Sequence, residues 1–464
     1  MITPAHARTS VISPEQAIPG GAASRSERRN ARQPAGQSLG ANLIWMVAGT
    51  VWNGFCQWAV LIVLAKLGTL EMVGAYTLGV AIATPILMFS CLNLRSIFVT
   101  DQHAAFRFHE YFTLRLVMLA ASIIAATGVG VVEGDRPELV FFIAAVTAAK
   151  ALDYVSDIFY ALLQREERMR AISLSLMLKG TLGLAAMAIA IVTRGSLTSV
   201  GVALVIASGL VLVFFDVPVS LNLLDMKFVR AASECVSRAK EMFRGHRRAG
   251  RRLFALARSG APLGIVVMIV SLNLNIPRYF VERSFGMGEQ GIFSSLVALM
   301  AAGSVAVGAL GQCATPKLAK YFASGNMPAF RRLLWVLTGA SAALGGAGFL
   351  AAAAFGRQIL TLAYRPEYAA RQDVFVWLMA ASGALYLGSA MGVAITAVRC
   401  FGPQLPLFAL SVITTTVACF LLVPTMGMRG AAAAIFISSI IQSAGGALLL
   451  RYACARSRIA AVTA

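Results

Sequence analysis

Lys150, Asp153 and Asp157 lie within AKALDYVSDIFYALLQREER, a stretch whose other residues are mostly apolar. Spaced three and four apart, they project from one face of a helix, with Tyr154 and Tyr160 nearby. An ionised side chain at the centre of a bilayer costs about 3 kcal/mol on insertion scales, so this face needs partners or a wet cavity, not lipid. Lys150 and Asp153 can pair locally, and Lys179 on the next apolar segment is the expected partner of Asp157. Two chemistries fit such a cluster. It fixes the packing of a helical bundle, or it is a proton- or sodium-linked relay, because a carboxylate between cations binds and releases a cation as its surroundings change. Asp216, just before Pro218, is a second candidate for coupling.

The elements that hold these charges are membrane spans. Of the 464 residues 58% are hydrophobic and 13% charged, where soluble domains carry about 25% charged residues. Twelve windows are long enough to cross about 30 Å of hydrocarbon as helices. They cover 42–65, 73–97, 114–132, 138–162, 171–193, 197–220, 260–281, 290–313, 333–355, 373–397, 403–423 and 429–450. The expected fold is therefore an all-α polytopic membrane protein of about 12 transmembrane helices. Residues 1–40 contain no apolar run able to serve as a signal-peptide core, and their Arg, Ser, Pro and Gly content predicts a disordered tail.

Basic residues outnumber acidic ones, 40 to 20. Most of them fall in the N-terminal tail and in loops on the same side of the membrane as that tail, ten of them between residues 224 and 258. The positive-inside rule then places both termini in the cytoplasm and argues against nucleic acid as a partner. Seven scattered cysteines without a CxxC pair, and four histidines without ligand spacing, predict neither disulfides nor a metal site. No Gly-rich phosphate loop, GxSxG or HExxH motif is present, so no catalytic residue or cofactor is expected.

The hydrophilic stretch from Leu223 to Gly260 divides the chain into six spans and six spans. The domain plan is a tail over 1–40, a bundle over 41–223, a linker over 224–258, a bundle over 259–452 and a cytoplasmic tail over 453–464. Six is even, so both bundles start on the same side and can be parallel repeats. GTLEMVGAYTLGVA at the second span echoes GMGEQGIFSSLVA at the eighth. Within the linker, Phe228, Ala232, Cys235, Val236, Ala239, Met242 and Phe243 recur at helical steps, which predicts an amphipathic helix on anionic lipid.

The run VLAKLGTLEMVGAYTLGVAIATPILMFSCLNLRSIFVTD, the pattern DIFYALLQR and the segment MGMRGAAAAIFIS resemble bacterial oligosaccharide flippases. These form the polysaccharide-transporter branch of the multidrug/oligosaccharidyl-lipid/polysaccharide exporter superfamily. The resemblance implies two pseudo-symmetric six-helix bundles forming a V around a central cavity, lined by the first, second, seventh and eighth spans. It implies movement of a polyprenyl-(pyro)phosphate-linked oligosaccharide across a bacterial inner membrane by alternating access, alongside polysaccharide assembly proteins. Arg95 and Arg278 are then the expected phosphate-gripping stations, because a guanidinium binds phosphate through paired hydrogen bonds. Asn53, Gln57, Asn273 and Asn275 are candidates for sugar hydroxyls or for bonds between helices. Trp45 and Trp52 fit sugar stacking or an interfacial belt. A cation-coupled drug exporter of the same superfamily is the nearest alternative. A membrane glycosyltransferase, polymerase or ligase would need a larger outward loop than 356–372 provides.

Overall fold

The computed structural model describes residues 39–100, 106–133, 137–166, 168–221, 247–398 and 404–463. Among these residues no strand occurs, and eleven helices are long and apolar enough to span a membrane. Eleven helices make twelve crossings because one of them, Arg247–Ala323, has 77 residues. At 1.5 Å per residue an unbroken helix of that length would reach about 115 Å, several times the hydrocarbon thickness. It breaks at Gly286, whose φ of 82° and ψ of 176° are open to glycine and strained for other residues. The seventh span runs up to this glycine and the eighth runs back from it.

The first five spans are Leu39–Leu67, Leu70–Ser90, Phe108–Glu133, Pro137–Arg165 and Met169–Arg194. The sixth is Leu197–Val211, prolonged by Leu212–Asp216 and Val217–Leu221. The ninth to twelfth are Met327–Ala363, Gln372–Ala397, Gln404–Met426 and Met428–Thr463. With an even number of crossings, both ends of the described chain lie on one face of the molecule, the termini face. The tail expected to be disordered lies outside the described residues except for its last two positions, which begin the first helix. The amphipathic linker helix around 228–243 also lies outside them. Residues 247–258, expected as linker, instead extend the seventh span, and the expected 453–464 tail is helical as far as Thr463.

The V follows from how the apolar cores divide. Away from the termini face one cluster draws on both halves, joining Val60, Val73 and Ile143 to Val281, Phe293, Leu378 and Val423. Toward the termini face the cores part. Leu87, Tyr111, Ile158 and Phe159 pack in the N-terminal half, with Leu256 from the start of the seventh span. Leu318, Phe330, Ala394 and Leu450 pack in the C-terminal half. Long side chains point outward toward lipid, as Ile124 at 74% exposure and Val132 at 86% illustrate.

The echoed segments are where the halves meet. A side chain at Gly291 would stand 2.7 Å from the Gly74 nitrogen, and one at Gly74 would run into the Met287 carbonyl. Only hydrogen in place of a Cβ lets the second and eighth spans approach this closely. Thr77 donates to Gln290 Oε1 at 3.0 Å beside this crossing. Lys66 reaches the Leu362 carbonyl at 3.0 Å, and Arg365 reaches the Lys66 carbonyl at 2.7 Å, clasping the halves at the face opposite the termini.

Candidate functional site

Three local features aim the embedded charges. At the end of the second span Leu92 and Asn93 have φ of 46° and 48°, a left-handed turn that asparagine tolerates and leucine does not favour. It redirects the chain into the short helix Leu94–Thr100 and turns Arg95 toward the fourth span. In the sixth span Leu212–Asp216 widens into a π-turn. Pro218 accounts for it: proline lacks the N–H that would bond the Phe214 carbonyl and crowds that carbonyl, so the preceding turn opens. Asp216 ends the turn with its side chain buried. The fourth span supplies the third feature, the one-sided row of Lys150, Asp153 and Asp157.

These residues form two charge clusters that meet at Tyr160. In the first, Asp157 accepts from Arg95 Nη1 at 2.9 Å and from Arg115 Nη2 at 3.2 Å. Arg95 Nε also donates to Gln164 at 2.9 Å. In the second, Lys179 Nζ stands 3.3 Å from Asp216 and 3.6 Å from Asp153, which lies 3.9 Å from Lys150. Ser175 Oγ donates to Asp216 and shares a 2.6 Å hydrogen bond with Tyr160. Arg95 and Lys179 both stack over the Tyr160 ring, at 5.7 and 5.3 Å from its centre.

The expected pairing of Lys179 with Asp157 is therefore corrected. Lys179 serves Asp153 and Asp216, while Asp157 is taken by two arginines. Arg115 sits early in the third span, where a basic residue looks like a loop charge in the sequence. It is fully buried, and two of its nitrogens have no hydrogen-bond acceptor. The expected local pair of Lys150 and Asp153 is present.

Lys150, Asp153 and Lys179 of the second cluster line a pocket of about 70 Å³ inside the N-terminal half, shared with Asn53, Gln57 and Tyr76. A water needs only about 10–15 Å³ of such space, so the pocket suits a few waters or a small ion, not a sugar ring. Asn53 and Gln57, candidates for sugar hydroxyls or for bonds between helices, line this pocket beside the charges. Asp153 Oδ1, Lys179 Nζ and Asp216 Oδ2 are buried without hydrogen-bond partners.

The other candidates stand apart. Arg278 Nη1 donates to Asn275 Oδ1 at 3.1 Å, its Nε is buried without an acceptor, and no carboxylate pairs with it among the described residues. Asn275 Nδ2 donates to the Ser271 carbonyl. Asn273 Oδ1 accepts from Thr415 at 2.6 Å and Ser438 at 3.3 Å, tying the seventh span to the eleventh and twelfth. Trp52 donates to Thr181, and Trp45 lies under Arg170. Between the halves a groove of about 380 Å³ runs along the second, third and seventh spans and is mostly apolar, with Glu282 and Arg283 at one end.

A two-lobed, all-helical membrane protein with charges buried in one lobe and the halves joined at one face has the fold of transporters of the multidrug/oligosaccharidyl-lipid/polysaccharide superfamily. The chain is similar to the capsular polysaccharide biosynthesis protein CapF of Staphylococcus aureus, 23% identical over 403 residues, or 86% of this chain and 96% of that one. An inward-facing multidrug-resistance transporter of the superfamily superposes with a TM-score of 0.66, at 12% identity over 90% of this chain and 99% of that one. An outward-facing one gives 0.59, at 15% identity over 91% and 95%. A superfamily transporter from Pyrococcus furiosus, described as having a binding pocket of reverse polarity, gives 0.59 at 14% identity over 91% and 95%. No protein-family model matches the chain.

Proposed function

We propose that the chain is a flippase that carries a polyprenyl-(pyro)phosphate-linked oligosaccharide across a bacterial inner membrane, for exopolysaccharide, capsule or O-antigen assembly. Both termini would lie in the cytoplasm, and the two halves would rock about their Gly74–Gly291 crossing to give alternating access. No covalent bond is broken on this reading, so the chain is not an enzyme.

The observation that carries the proposal is Arg278. Of the basic side chains embedded in the spans, Arg95, Arg115, Lys150 and Lys179 each have a carboxylate, whereas Arg278 has, among the described residues, only an amide. A phosphate would supply the missing acceptors in paired geometry. Arg95, 28% exposed beyond its bond to Asp157, is a second station nearer the termini face. Asn275, already bonded to Arg278, and Asn273 would position the headgroup around it. Resemblance to a capsular polysaccharide protein over most of both chains supports the glycan assignment.

A multidrug exporter is the rival within the same fold, favoured by the drug transporters among the similar structures. An uncompensated guanidinium repels a cationic drug and attracts an anion. The pocket at Lys150, Asp153 and Lys179, with Asp216 paired to Lys179 beside it, would serve as the proton or sodium site coupled to the cycle, with Asn53 and Gln57 holding its waters.

The test is leaflet exchange of a labelled polyprenyl-pyrophosphate oligosaccharide in reconstituted vesicles. Losing charge-assisted hydrogen bonds worth about 1.5–3 kcal/mol predicts a roughly 10- to 100-fold slower exchange for Arg278→Ala, with partial rescue by Arg278→Lys. Exchange by Arg278→Ala at the unmodified rate would remove the assignment.

A further inference from the structure

We infer that Asp157 stands in for the substrate's phosphate on Arg95, and is passed to the buried Arg115 when a pyrophosphate headgroup takes its place. This deepens the transport reading at Arg95 and rests on it for the identity of the ligand.

Two guanidinium groups share one carboxylate here, and among the described residues no second carboxylate pairs with either. The cluster is therefore one negative charge short. It is reached from one side. The side chains of Arg95 and Asp157 are 28% and 25% exposed, whereas that of Arg115 is fully buried. Charge exposed within a span faces water rather than lipid. Arg95 stands on the short helix Leu94–Thr100, toward the termini face, where the cores of the two halves part. An anion arriving there meets Arg95 first.

The bonds already made decide how Arg95 can be released. Asp157 Oδ1 accepts from Arg95 Nη1 at 2.9 Å, and Oδ2 accepts from Arg115 Nη2 at 3.2 Å. Arg115 Nε is buried without an acceptor. The Cys91 thiol beside this guanidinium is a weak acceptor and does not replace a carboxylate oxygen. In a guanidinium the Nε–H and one N–H of Nη2 point the same way, and together they fit the two oxygens of a carboxylate. Turning the Asp157 carboxyl so that Oδ1 moves from Arg95 to Arg115 Nε satisfies the orphaned donor and keeps the carboxylate compensated. Arg95 retains Gln164 on its own Nε and its place over the Tyr160 ring, and offers the released Nη1 to a phosphate oxygen. With Arg95 alone, a phosphate that displaced Asp157 would leave the carboxylate without a cation. Arg115 is thus a positioning residue: it acts through Asp157 and does not touch the ligand. Phosphate suits the exchange because, like the carboxylate it replaces, it brings paired oxygens as well as charge; chloride brings charge alone.

The experiment titrates full-length protein carrying Arg278→Ala, so that binding reports on Arg95, with inorganic pyrophosphate by calorimetry. Adding Arg95→Gln should weaken binding about tenfold or more. Arg115→Lys removes the paired edge and should weaken binding about tenfold, whereas Arg115→Gln with Asp157→Asn, which removes the stand-in and its holder together, should strengthen it about tenfold. Both changes conserve the net charge of the cluster, so attraction alone predicts no effect of either. Infrared difference spectra on adding pyrophosphate should show a shifted carboxylate band that is absent from the double variant, a readout that also serves if Arg115→Lys does not elute as folded protein. Absence of pyrophosphate binding in the Arg278→Ala parent, an equal response to chloride, no carboxylate band, or unchanged binding in the charge-conserving variants would overturn the inference. Leaflet exchange of the oligosaccharide is measured separately. Pyrophosphate binding with this pattern but no leaflet exchange would keep the displacement of Asp157 and remove the flippase reading, and leaflet exchange without the pattern would do the reverse.

Discussion

Asp157 neutralises one of the two guanidinium groups it holds, and one of them, Arg115, has no solvent to fall back on. Breaking a buried ion pair from one side costs about 3–5 kcal/mol because the other charge is left uncompensated. Asp157→Asn should therefore lower the yield of folded protein, read by gel filtration of detergent extracts. Adding Arg115→Gln should recover part of the yield; no recovery would show that Arg115 does not depend on Asp157. Asp216 is placed differently. Asp216→Asn keeps an acceptor for Ser175 but removes the charge facing Lys179. If the pocket couples a proton, this variant should reach normal abundance and lose the pH dependence of transport. A matching fall in abundance would return the pocket to a packing role. Of these residues, the fourth-span row was legible from spacing alone. Arg115 was not, because a basic residue early in a span looks like a topology signal until the third span is seen to pack it against the fourth.

At the scale of elements, the glycine crossing between the second and eighth spans is the feature most open to test. Gly74→Val would force these spans apart at the Met287 carbonyl. A single cysteine at Ser284, in a background without other cysteines, should then react faster with a membrane-impermeant thiol reagent added from the face opposite the termini. Unchanged labelling would mean that the crossing does not seal that face. The weak internal echo marked both glycines, yet nothing in it said that they touch. Contact requires the two repeats to be brought face to face, which a repeat signal does not specify. The separate windows 260–281 and 290–313 bracket the break, but nothing in the sequence singled out Gly286 as its position. The π-turn before Pro218 was not legible either, although the proline that causes it was in view.

For the whole molecule, the arrangement of the halves rests on a shared core and a polar clasp at one face and on separate cores at the other. The clasp bonds of Lys66 and Arg365 are exposed, so removing both should cost about 1 kcal/mol. That is roughly a fivefold change in the ratio of two conformations. In Lys66→Met with Arg365→Ala, distances between spin labels at the termini-face ends of the first and eighth spans should shift toward shorter values in that proportion. An unaltered distribution would show that the clasp does not set the balance.

Hydropathy and helical period determined the spans, the division into halves and the polar face of the fourth helix, because each depends on neighbours along one chain. Only the tertiary structure decided which cation meets which carboxylate. A residue's face on its own helix is set by a repeat of 3.6 residues, but the face it meets depends on how the adjacent helix is rotated and where it bends. That rotation joined Asn53 and Gln57 to Lys150 and Lys179, gave Asp157 to Arg95 and Arg115, and left Arg278 without a counter-charge among the described residues.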